Sequence, residues 1–227
     1  MPAYFEMSLQ FQRSELYPDF IRDFDAALDR AGLTFLSGCR WDGFPPRGEI
    51  SAWNQRKLEE NFVLGMDEPY SHDCRQSLYR FGGYSEVRGF WTNQHPVEDA
   101  FTYFLIIPES EVVDEGDHTI FLPDKAEQLR ELAEKLWQFP LVRSIQTGLE
   151  LSDPPLSLAE LRKGQSPDAS PFAIVEPDCH PYDDGSRAIE LTRGRPGLLL
   201  LDNEELSGPV IEVPFGGPLR LEERGGR

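Results

Sequence analysis

Residues 3–12 alternate apolar and polar side chains, with Phe5, Met7, Leu9 and Phe11 on one face and Tyr4, Glu6, Ser8, Gln10 and Gln12 on the other. A period of two predicts a strand with one buried and one solvated side. The pattern then changes to helical spacing: Leu16, Phe20, Phe24, Ala27, Leu28 and Ala31 recur along one face, with Ser14 as the expected N-cap, Pro18 in the first turn and Gly32 as the stop. Residues 33–39 read as a second strand, and residues 41–48, with Asp42-Gly43 and Pro45-Pro46, as a loop. Residues 49–64 are ambiguous and fit a short strand around Ile50 followed by a helical piece through residues 55–62.

Three β segments follow, at residues 76–81, 85–92 and 100–107, the first two joined by the hairpin-length link Gly82-Gly83-Tyr84. Pro123 at a first helical position, with Asp124 and Glu127 after it, opens the clearest amphipathic helix, whose apolar face is Leu129, Leu132, Ala133 and Leu136. Pro140 ends it, and residues 141–151 return as a strand. The expected fold class is α+β: a largely antiparallel sheet with two main amphipathic helices packed on one face, in an elaborated ferredoxin-like β-α-β…β-α-β order. Phe5, Leu9 and Phe11 should pack against Phe20, Phe24, Leu28, Leu129, Leu132 and Leu136.

Composition shifts at Ser152. Residues 1–151 are therefore read as the core domain and residues 152–227 as a Pro/Gly-rich short-strand extension packed on it, ending in a frayed tail. Within the extension Ser157 and Glu160 have the spacing of a capping box. Short strands are expected at 172–176, 187–192, 197–201 and 210–213.

Charge narrows the functional classes. The chain carries 22 Lys+Arg against 40 Asp+Glu, a formal charge of -18. Such a surplus repels phosphate backbones and anionic membrane surfaces, so direct nucleic-acid binding and membrane attachment are not expected. It attracts a basic protein and speeds the encounter. No apolar run has membrane-spanning length, and residues 1–12 lack the basic start and apolar stretch of a signal peptide, so a cytoplasmic location is expected. Cys39, Cys74 and Cys179 are odd in number and have no C-x-x-C spacing, which fits reduced thiols better than a disulfide framework.

The chain has no nucleophile elbow, H-E-x-x-H, P-loop or G-x-G-x-x-G motif. His72-Asp73-Cys74 and Asp178-Cys179-His180 each hold metal-ligand types, but neighbouring side chains on extended backbone point apart. No catalytic residue, cofactor or metal site is assigned. Trp41 and Phe44 in the Pro-rich loop, together with Glu109, Glu111, Asp114, Glu115 and Asp117, form the candidate partner-binding set: aromatics anchor and carboxylates steer. The expected function is an acidic, non-enzymatic protein-binding module, such as an immunity protein or inhibitor of a basic toxin or nuclease. The alternative is an enzyme or small-molecule-binding domain with a dispersed cleft site.

Overall fold

A strand of alternating character with polar neighbours on one side can carry a helical layer on its apolar face, and that is the use made of β1 (Tyr4–Gln12). The computed structural model describes residues 3–39, 43–60, 75–93, 99–114, 120–150, 153–167, 169–179 and 187–201. Within these, β1 pairs antiparallel with β5 (Ala100–Pro108) on one side and β6 (Val142–Leu149) on the other. Outward from β5 lie β4 (Val87–Asn93), β3 (Gln76–Arg80) and β2 (Thr34–Cys39). Outward from β6 lie β7 (Phe172–Val175), β9 (Leu198–Leu201) and β8 (Arg187–Glu190). One antiparallel sheet of nine strands results, in the order β2-β3-β4-β5-β1-β6-β7-β9-β8. The α+β class and the antiparallel sheet are as the pattern predicts, and β7, β9 and β8 extend that same sheet beyond β6. The candidate strand at 210–213 and the tail lie outside the described residues.

Three main helices, rather than the two expected, cover the apolar face: α1 (Phe20–Ala31), α2 (Arg47–Glu59) and α3 (Pro123–Trp137). The predicted core set, Phe5, Leu9, Phe11, Phe20, Phe24, Leu28, Leu129, Leu132 and Leu136, is at most 1% exposed. α1 starts later than Ser14 would place it. Arg13–Glu15 make a single 3-10 turn and the helix begins after Asp19, because Pro18 forces Tyr17 toward extended backbone. Its end is where expected: Gly32, at φ 104°, bonds back to Asp29 through its N–H at 3.0 Å.

Where a short strand around Ile50 is expected, the helix already runs from Arg47 to Glu59, and residues 61–64 lie outside the described residues. Ile50, Trp53, Asn54 and Leu58 form the buried face of α2. Asn54 takes an apolar place on that face and Ala52 sits on the exposed one, which flattens the periodicity a reader of sequence relies on.

The opposite face of the sheet carries a second, smaller core. Ala173, Val175, Leu198 and Leu200 point away from the main helices and pack with Leu158 and Leu161 of the short α4 (Leu158–Leu161). Ser157 and Glu160 cap α4 reciprocally, as their spacing predicts. This second layer covers β6, β7 and β9. It stops beside β1, and there a cleft opens.

Candidate functional site

The polar face of β1 builds the floor of that cleft. Glu6 and Ser8 stand beside Phe104 of β5 and Gln146 of β6, because cross-strand neighbours in register share a face. Gly148, Leu149 and Glu150 close one end, and Asp153, Pro154 and Pro155 form a wall facing the sheet. The cleft encloses about 250 Å³. Phe104 also stacks on Phe90 of β4, with ring centroids 5.6 Å apart and planes 17° from parallel, which continues the apolar wall across the sheet.

Three carboxylates mark the cleft: Glu6, Glu150 and Asp153. Glu150 Oε2 accepts from the Tyr4 N–H at 3.2 Å, and the Glu150 N–H donates to the Tyr4 carbonyl at 2.8 Å, so this acid is fixed to the start of β1. Glu6 has no cationic side chain paired with it among the described residues. Burial pushes its pKa above the ordinary carboxylate value, and the Glu150 charge raises it further. A carboxylate in that position gains from any cation that enters, since the counter-charge removes both penalties.

The sign of the Glu6 shift gives a first expected result. A folded-state pKa above the unfolded value means that the group favours the fold below about pH 4.3 and loses that contribution as pH rises through the raised value. Glu6→Gln should therefore gain in melting temperature relative to the parent chain at pH 7, with the gain shrinking toward pH 4. A difference that does not change with pH would contradict the burial of this carboxylate.

No protein-family model matches the chain, and no curated protein matches it either.

The described residues among those singled out from sequence do not line this cleft. Phe44 is 78% exposed, next to Pro45, whose carbonyl accepts from Gly38 N–H near the end of edge strand β2. Glu109 opens the turn after β5, with its N–H on the Ala3 carbonyl at 3.0 Å. The Glu111 carboxylate is engaged locally, accepting the Ser85 N–H at 2.9 Å and the Ser85 hydroxyl. Asp114 is exposed and its N–H bonds to Ile120 O at 2.8 Å. Ser85 precedes β4, whose Val87 pairs with Tyr79 and through it with Phe35, the opposite end of β2 from Gly38. Phe44 thus neighbours one end of β2, and the Glu111–Ser85 contact lies toward the strand ends paired with its other end. Trp41, Glu115 and Asp117 lie outside the described residues, as do His72, Asp73, Cys74 and all four histidines.

Of the two candidate metal clusters, the described part is Asp178 and Cys179, which approach Glu176 so that one ligand atom of each lies within 4.8 Å of the others. Glu176 already accepts from Arg143 at 2.6 Å and Arg195 at 3.1 Å, and burial together with Asp178 and Glu176 pushes the Cys179 thiol up to about 11. The Glu176 carboxylate is thus shared by two guanidinium groups. Among the described residues, no helix is long and apolar enough to cross a membrane.

The period of two puts Glu6 and Ser8 on one face of β1, and composition shifts at Ser152, just before Asp153-Pro154-Pro155. What neither supplies is that the two places meet. Glu150 falls in the strand expected at 141–151 and Asp153 just beyond the shift at Ser152, and no local signal ties either to Glu6.

Proposed function

We propose that the chain is a non-enzymatic binding module for a basic protein partner, and that the cleft receives one lysine or arginine side chain of that partner. The single observation behind this reading is Glu6: a partly buried carboxylate in an open cleft, beside a second carboxylate and without a cation from its own described chain. The walls suit the same guest. Phe104, Leu149, Pro154 and Pro155 offer apolar surface to an aliphatic stem, while Glu6, Glu150 and Asp153 meet its charged end. The formal charge of -18 adds long-range attraction for any basic partner. An inhibitor or immunity protein directed against a basic toxin or nuclease is one role that such a module would fill.

A short oligolysine peptide is the probe. It should bind at low salt, and raising salt from about 0.05 to 0.5 M should slow association far more than it speeds dissociation, as the Debye length contracts from roughly 14 to 4 Å. Glu6→Gln should weaken binding about tenfold or more, the scale of one charge-assisted hydrogen bond. Asp124→Asn combined with Glu131→Gln removes two carboxylates from α3, away from the cleft, and should matter far less. Equal losses in the two variants would mean that bulk charge alone attracts the peptide and would defeat the cleft reading. Failure of the parent chain to bind oligolysine at low salt would defeat the partner reading as well.

The size of the cleft favours one second reading, a small free amine as the ligand. Spermidine or lysine amide binding as tightly as the peptide would select it.

A further inference from the structure

The wall of the cleft is held by side chains rather than by secondary structure. Residues 153–157 belong to no strand or helix. Pro154 and Pro155 have no N–H to give to a ladder, so Leu156 is the first residue after them that can offer both a donor and an acceptor. Gln146, only 4% exposed on β6, takes both: its Oε1 accepts the Leu156 N–H at 2.9 Å and its Nε2 donates to the Leu156 carbonyl at 2.9 Å. This reproduces with one side-chain amide the exchange of bonds that a neighbouring strand would make. Gln10 of β1, 3% exposed, donates to the same carbonyl at 2.8 Å. Ser144 completes the group, its hydroxyl donating to Gln10 Oε1 at 2.7 Å.

We propose that Gln10 and Gln146 are positioning residues of the cleft: together they clasp the backbone N–H and carbonyl of Leu156 and so fix Pro154 and Pro155 as its wall. Gln10 does not line the cleft and acts only through the wall. Downstream, the Ser157–Glu160 capping box and the buried Leu158 and Leu161 hold the other end of the segment independently of the clasp. Releasing the clasp therefore frees the wall without unfolding α4. That the wall serves a cationic guest rests on the function proposed above; that the clasp sets its position does not.

Gln146→Met keeps the approximate volume and removes both bonds to Leu156. The Leu156 amide should then exchange with solvent about tenfold or more faster, the scale of losing two hydrogen bonds that open locally, while the amides of β1 paired to β5 keep their protection. Oligolysine binding should weaken several-fold although Glu6, Glu150 and Asp153 are all present. If Gln146→Met does not fold, Gln10→Met, which removes one bond to the Leu156 carbonyl, should weaken oligolysine binding in the same direction with a smaller change. The double variant should lose less than the sum of the two, because both residues act on one peptide group. Unchanged Leu156 exchange in a folded Gln146→Met overturns the clasp. Faster exchange with unaltered oligolysine affinity overturns the positioning role. If the parent chain ignores oligolysine, the function reading fails and the exchange result alone decides the clasp.

Discussion

Replacing Phe11 by alanine should destabilise the fold by about 3–5 kcal/mol, at the upper end of the range for a buried side chain. Phe11 is 1% exposed at the centre of the helix-covered face. Its ring lies edge-on to Phe20 and Phe24, each 5.2 Å away, stacks on Phe101 at 5.5 Å, and touches Trp91 and Phe139 at 5.5 and 6.3 Å. Removing it leaves a void walled by rigid rings from β4, β5, α1 and the segment after α3. Such walls cannot collapse without moving several elements together, so the cavity term remains in full. Phe11→Leu refills most of the space and should lose far less. Urea unfolding of the two variants, compared at equal m-value, reads the difference. A loss below about 1 kcal/mol for the alanine variant would show that the rings can repack.

The second large effect is expected at Gly89, where the smallest side chain is required by packing rather than by backbone conformation. Gly89 lies on β4 between Ser77 of β3 and Leu105 of β5. A Cβ there would stand 2.6 Å from Tyr103 Cζ and 3.0 Å from Tyr79 Cε2, and closer still to the Tyr103 hydroxyl oxygen. Both tyrosines are 3% exposed, and their hydroxyls share a hydrogen bond at 2.9 Å. Because β4 is paired on both sides, its backbone cannot withdraw, so Tyr103 must move. Gly89→Ala should cost about 1–3 kcal/mol in overpacking, with a further ~1–3 kcal/mol if the hydroxyl pair is broken and left buried. Tyr103→Phe removes the closest of the conflicting atoms and leaves Cζ, 2.6 Å from the added Cβ. Introduced alone it should destabilise, and introduced into Gly89→Ala it should restore part of the loss. Additive effects in that cycle would place the strain elsewhere.

Charge acts at a different level from these packing terms. The net charge of -18 says nothing about strand order, yet it limits which partners approach. Within the fold, individual acids diverge in role: Glu111 is engaged by Ser85, Glu176 by Arg143 and Arg195, and Glu6 by no cation among the described residues. Only local geometry separates a carboxylate that holds the structure from one able to meet a ligand.

Hydrophobic periodicity by itself determined the type of most elements, because period two and period 3.6 are properties of neighbouring residues alone. It assigned β1 and its two faces, the apolar stripes of α1 and α3, the Gly32 stop and the capping box at Ser157. It failed at α2, where Asn54 and Ala52 stand on the wrong sides of the stripe, and at the start of α1, where Pro18 overrode the Ser14 cap. The tertiary structure decided what the polar face of β1 became. Read locally, Ser8 and Gln10 belong to water; in the fold they are 2% and 3% exposed, with Ser8 donating to the Gln146 carbonyl of β6 and Gln10 donating to the Leu156 carbonyl and accepting from the Ser144 hydroxyl. The cleft is non-local in the same way, joining Glu6 to a segment near Glu150, whose carboxylate is tied to Tyr4 across 146 residues. Alternation says which side chains share a face, but the choice of what packs on that face is made by long-range burial, and no short window of sequence contains it.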